Sequence, residues 1–342
     1  MRQRRVLTAL AIPLALALVA ASCGSDDSSS DSTTANDSTE ETTAPDDGGE
    51  AADETTPAVA EGEVDTTVVA ETETATFGGS LSMGLEAEAT GLRPWDDFCS
   101  EPCINIQRTM FDTITQQNSD GEYEGYLAES IEPNEDFTQW TVTLRPDITF
   151  HNGVPLTAQT LVDMFAIQQT GSQSSGTIAT TGLTGVEAVD DLTAVYTLSS
   201  PYSAFPAFLA GPTLGYVFEP AAAAADPVGF STAPVGTGPF VIESRDFDNE
   251  TVVVRNPDYW RSDDNGDQLP YLDSVSFRPI PDEGTRLDAL LSGTVDMIES
   301  RRQGTIRDAR AESGIELFEF QGNQAGGGMF NTARVPFDDV RV

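Results

Sequence analysis

Between residues 80 and 332 the apolar positions recur with two different periods, and the places where the period changes outline the elements. Leu81, Met83 and Leu85 alternate with smaller or polar neighbours, which predicts a half-buried strand over 80–86. A proline loop, LRPW at 92–95, follows it. Residues 127–145 read as a short helical turn followed by strands, with Trp140, Val142 and Leu144 on one face and Thr141 and Thr143 on the other. At 157–168 the period lengthens: Ala158, Leu161, Val162 and Phe165 form the stripe of a core-facing helix, with Thr157 as its N-cap. Strand patterns return at 185–189, 194–198, 238–243, 251–255, 272–280, 295–298, 315–320 and 329–332, with a turn at Asp248-Asn249. Helices are predicted at 104–111, 304–312 and 283–291, the last closed by Ser292-Gly293. The pattern is that of a mixed α/β body, strand-rich early and alternating late, with no internal repeat.

The first 77 residues follow neither period. Arg2, Arg4 and Arg5 precede an apolar run ending in small residues and Ser22-Cys23, the layout of an export signal too short for a comfortable membrane span. VAASC (19–23) resembles a bacterial lipobox, so residues 1–22 are expected to be a lipoprotein signal peptide and Cys23 the lipidated N-terminus. Ala20 departs from the usual Leu or Val, and ordinary cleavage beside an incidental cysteine is the alternative. Residues 23–77 are acidic and Ser/Thr-rich, almost without large apolar residues, and are expected to be a disordered tether. A coil of that length reaches roughly 40 Å, about twice the radius of gyration of the globular part.

Charge narrows the chemistry. The chain has 17 Lys+Arg, all of them arginine, against 56 Asp+Glu, a formal net charge of −39. Such a polymer repels nucleic acid and anionic lipid headgroups, and without lysine it has no Schiff-base or P-loop chemistry. Beyond Cys23, Cys99 and Cys103 form a local pair expected to be a disulfide outside the cytoplasm. Closing that five-residue loop adds about 2 kcal/mol, enough to pin a loop but not a fold. The only histidine, His151, sits in the turn FHNG, too far from the cysteines for a metal site and more consistent with packing than with catalysis. There is no nucleophile elbow and no zinc-protease motif, and GTG at 236–238 is followed by Pro239 where a dinucleotide loop needs another glycine. No enzyme, cofactor or metal is expected.

From residue 127 the motifs become recognisable in order: LAESIEP (127–133), WTVTLRP (140–146), ITFHNGVPLTA (148–158), PVGTGPF (234–240), RNPDYW (255–260), ALLSGTVDM (289–297), FNT (330–332) and PFDDVR (336–341). This run resembles the family 5 extracytoplasmic solute-binding proteins of ABC importers, the oligopeptide, dipeptide and nickel binders. The resemblance implies a periplasmic-binding-protein-like two-lobed α/β fold, mixed sheets with flanking helices, that closes on a solute and hands it to permease subunits. It places the first lobe, with two subdomains, at 78–312. Residues 313–342 would be the crossover and the start of a second lobe most of which is expected to be missing. The expected protein is an extracytoplasmic, lipid-anchored monomer capturing peptides or similar small solutes, touching the membrane only through its lipid.

For the ligand face, the resemblance points to the loop after the first strand. Glu88 falls where peptide-binding relatives place a carboxylate near the ligand, Glu86 is the neighbouring candidate, and Trp95 is a possible stacking surface. The alternatives are that Glu88 is a solvated loop acid and that Trp95 caps the core. Arg93 stands where many relatives have aspartate, so contacts there do not carry over. Asn331, on the crossover strand, either lines the cleft or bonds backbone. A tethered structural or adhesive surface lipoprotein is the competing function, suggested by the long acidic stalk.

Overall fold

The alternating segment at Leu81, Met83 and Leu85 forms strand β1 (Ser80–Leu85), and its apolar side chains turn into the core. A computed structural model describes residues 76–318 and Val335; Cys23, nearly all of the expected tether, Asn331 and the strand expected at 329–332 lie outside the described residues. After β1 come helix α1 (Glu101–Met110), a small hairpin of β2 (Thr115–Gln117) and β3 (Tyr123–Gly125), then β4 (Ala128–Pro133) and β5 (Gln139–Leu144). Helices α2 (Ala158–Gln168) and α3 (Ser174–Thr181) lead into β6 (Leu183–Ala188) and β7 (Thr193–Leu198). Four short helices follow: α4 (Phe205–Leu209), α5 (Pro212–Gly215), α6 (Pro220–Ala225) and α7 (Pro227–Phe230). The chain ends its regular structure with β8 (Phe240–Asp246), β9 (Glu250–Arg255), β10 (Ser274–Pro279), α8 (Glu283–Leu291), β11 (Met297–Ile298) and α9 (Gln303–Ala311).

Among the described residues the strands form two principal sheets. The first has the order β11-β1-β10-β9-β8. Its β1 runs parallel to both β10 and β11, while β9 is antiparallel to its two neighbours. The second, β4-β5-β7-β6, is antiparallel throughout and is covered by α2. Alternation along β5 buries Trp140, Val142 and Leu144 under that helix layer, where Leu161, Met164 and Phe165 meet them in one continuous core. Helix α2 begins where Thr160 Oγ1 accepts the Thr157 backbone N–H at 3.2 Å. Helix α8 begins on the Asp282 carboxylate, which accepts the Thr285 N–H at 2.8 Å, and ends at Gly293 in the left-handed region, φ 72°.

Several expectations change. The segment after Leu127 is strand from Ala128 onward and has no helical turn, because its backbone is committed to pairing with β5. Helix α1 starts three residues earlier than the apolar period indicates. Pro102 sits in its first turn, where no intrahelical N–H bond is required. Residues 315–318, expected to begin a strand, are irregular. Helices α3 to α7 were not visible in the pattern, being short and rich in Gly, Ser, Thr, Pro and Ala.

The motifs that stand out in the sequence converge in space. Asp112, just past α1 and 4% exposed, accepts hydrogen bonds from Trp260 Nε1 (2.9 Å), Thr237 Oγ1 (3.1 Å) and the Tyr259 hydroxyl (3.1 Å). Burial pushes its carboxyl above the usual carboxylate range, against the pull of these three donors toward the ionised form. His151 donates from Nε2 to the Gly238 carbonyl at 3.0 Å and accepts the Gly236 N–H on Nδ1 at 3.2 Å. The imidazole is thereby fixed as the neutral Nε2–H tautomer. Gly236 packs so closely on the end of α1 that any side chain there would collide with the Met110 carbonyl. The FHNG, GTG and NPDYW segments are therefore parts of one polar lock between the sheets.

Candidate functional site

The parallel strands β1 and β11 point their carboxyl ends the same way, and α1 begins beside them. In open α/β sheets the crevice outside the carboxyl ends of the strands is where ligands bind. Here that crevice is lined by Glu86, Glu101, Asn105, Glu299, Ser300 and Arg301. Arg301 bridges Glu101 at 2.6 Å and Glu299 at 3.4 Å, and Asn105 Nδ2 donates to Glu299 at 3.0 Å. Below them Glu283 holds Arg302 at 2.6 Å and accepts from the Ser300 hydroxyl, which anchors the strand end to α8. Glu86 is exposed and has no hydrogen-bond or ion-pair partner among the described residues. Three glutamates against one arginine make the crevice net negative. The space enclosed there is about 10 Å³, room for about one water.

The other candidates of this loop turn inward. Glu88 pairs with Arg245 at 3.3 Å and accepts the Asp248 N–H at 3.0 Å, and Arg245 also donates to the Ala89 carbonyl and to the Ser231 carbonyl at 3.0 Å. Glu88 thus clasps the β8–β9 turn, its carboxylate engaged by Arg245 and the Asp248 N–H. The Trp95 indole is 5% exposed, 4.2 Å from the Phe218 ring and 5.3 Å from that of Phe230, so it packs in the core and offers no stacking face. Arg93 braces the same loop through Asp96 at 2.9 Å and Asp97 at 2.6 Å. Burial alone would raise the Asp97 carboxyl, but the bonds from Arg93 and Ser231 hold it below the usual range. Cys99 and Cys103 are joined by a disulfide that ties the end of the loop to the first turn of α1. Glu101, Asn105, Glu299 and Arg301, which sequence reasoning did not single out, are brought to Glu86 by the topology alone.

No group of histidine, cysteine, aspartate and glutamate among the described residues is arranged to hold a metal ion, and none of their helices is long and apolar enough to cross a membrane.

With this geometry in place, likeness to known proteins is informative. The chain is 30% identical over 209 residues to the glutathione-binding protein GsiB of Pectobacterium atrosepticum, covering 60% of this chain and 38% of that protein. It is 28% identical over 194 residues to the nickel-binding periplasmic protein of Escherichia coli, covering 56% and 36% respectively. The ABC transporter-associated periplasmic binding protein DppA of Helicobacter pylori, solved with the peptide STSA, superposes with a TM-score of 0.62 at 24% identity, over 70% of this chain and 50% of that one. The chain spans well under half the length of these two curated relatives. Residues 122–342 match the family described as bacterial extracellular solute-binding proteins, family 5, and the chain belongs to that family.

Proposed function

We propose that this body is the first lobe of a lipid-anchored receptor that captures peptides or similar small solutes and delivers them to the permease of an ABC importer. The crevice at the carboxyl ends of β1 and β11 is one wall of the binding site, and a second lobe supplies the other. The observation that carries this reading is Glu86, an exposed carboxylate at the strand end with no partner among the described residues, beside Glu101 and Glu299. Closing a second wall over it would exclude water and strengthen its polar contacts. Because the crevice is net negative, the favoured solute presents a positive group, such as a peptide amine. Relatives named for glutathione and nickel, and the DppA structure holding a peptide, support small polar solutes as the class.

The VAASC segment supports anchoring through Cys23, with residues 24–77 as the tether. Native mass spectrometry of the protein purified from its own host tests the receptor reading. A small molecule bound in stoichiometric amount, and lost on Glu86→Gln, is expected. A protein that carries nothing small yet sediments with cell wall would instead be the adhesive lipoprotein.

A further inference from the structure

A second cavity shares no lining residue with the crevice at Glu86. It holds about 330 Å³ and opens to solvent between the β2–β3 hairpin, the end of β5 and the segment after β9. Its walls are Gln116, Glu124, Tyr126, Arg145, Trp260 and Arg261. The volume is that of a modest small-molecule site. Tyr126 organises it. Its backbone carbonyl accepts Arg145 Nε at 2.8 Å and its hydroxyl accepts Arg261 Nη1 at 2.9 Å, while Trp260 is pinned from beneath by its bond to Asp112. Both guanidinium carbons lie 5.9 Å from the centroid of the Trp260 ring.

Arg93, Arg245, Arg255 and Arg278 each hold a carboxylate, whereas Arg145 and Arg261 have none within salt-bridge distance among the described residues. The terminal amino groups of Arg145 have no acceptor there either, although its Nε bond fixes the side chain. We infer that this cavity is a binding site for a small planar carboxylate, held by the Arg145 fork and the Arg261 guanidinium and laid against Trp260 and Tyr126. A guanidinium fork matches a carboxylate in geometry as well as charge, and a side chain already fixed loses little freedom on binding. Glu124, tied to Gln116 Nε2 at 2.8 Å, and Glu129 line the same cavity and balance the charge of the two arginines, which disfavours polyanions. This site stands whatever solute occupies the crevice at Glu86.

Benzoate is the probe, and the Trp260 indole N–H, one of three in the chain, is the reporter in ¹H–¹⁵N spectra of the native protein. Benzoate is expected to shift that signal saturably. Its neutral isostere benzamide, or sodium chloride at the same ionic strength, is expected to leave it in place. Arg145→Gln is expected to weaken benzoate about tenfold. Arg278→Gln, whose arginine pairs with Glu250 outside the cavity, is expected to leave binding unchanged. Unmoved indole signals of Trp95 and Trp140 report that each variant is folded. Should Arg145→Gln fail that check, Arg145→Lys, which keeps the charge and loses the fork, is expected to weaken binding as well. An equal response to benzamide or chloride, no saturation, sulfate binding tighter than benzoate, or wild-type affinity in the folded Arg145 variants would overturn the assignment.

Discussion

The single histidine gives the account a quantitative test far from any ligand. His151, within the FHNG turn, packs against the GTG segment, and burial holds its imidazole down at about 4, against 6.5 when free, even though its bond to the Gly238 carbonyl favours the charged form. The unfolded chain therefore takes up a proton near pH 6.5 that the folded protein refuses until about pH 4. Where the unfolded state binds more protons, stability falls as pH falls, so the loss accumulates between those two values and is complete below about 4. The difference amounts to about 3 kcal/mol. Burial moves the Asp112 carboxyl the other way and adds stability on acidification, so the His151 contribution must be read as a difference between proteins. His151→Gln removes the titration, and at pH 7.5 it disturbs the bonds to Gly238 and Gly236 at a cost of about 1–2 kcal/mol. Urea unfolding of both proteins from pH 7.5 to 4 is expected to show the wild-type advantage shrink and then reverse. An imidazole that titrates near 6.5 in carbon-detected NMR, or a wild-type advantage constant with pH, would refute the reasoning.

Other perturbations separate the structural roles from the proposed ones. Glu88→Gln leaves Arg245, whose side chain is 3% exposed, without its carboxylate, and is expected to lower unfolding free energy by about 1–3 kcal/mol in urea; a change within error would mean the clasp at the β8–β9 turn is idle. Asp112→Asn puts an amide among three donors. It should cost about 2–4 kcal/mol by thermal unfolding, and a neutral result would remove the lock from the account. Reducing Cys99–Cys103 in the folded protein is expected to cost about 2 kcal/mol from loop closure alone, measured as the denaturant midpoint with and without reductant; loss of the whole fold would contradict that estimate. Cys23→Ala is expected to move the protein from the membrane to the soluble fraction, and unchanged fractionation would count against lipidation.

Much of the fold was legible where one face of an element is buried and the other is wet. The alternation at Trp140, Val142 and Leu144 marked β5, and the stripe at Ala158, Leu161 and Phe165 marked α2, because burial on one side imposes the period. Helices α4 to α7 escaped because four to six residues show no period, and their starts are set by Pro206, Pro212, Pro220 and Pro227. Ala128–Pro133 was partly misread since its apolar residues are few and its strand state comes from pairing with β5. The crevice was half legible: Glu86 follows a visible strand, but Glu299 and Arg301 reach it only because β11 pairs parallel with β1 across more than two hundred residues. Glu88 and Trp95 were plausible ligand residues from their loop alone. Their engagement by Arg245 and by Phe218 is a fact of tertiary packing that no local pattern carries.

The claim on which the rest depends is that solute is held at the carboxyl ends of β1 and β11. Hydrogen–deuterium exchange on the native protein, with its copurified solute bound and after its removal, tests it most directly. The account predicts that solute slows exchange in 85–88, 101–106 and 298–302 while the sheet β4-β5-β7-β6 stays unchanged. Protection confined to that second sheet, or none around Glu86, Glu101 and Arg301, would contradict it.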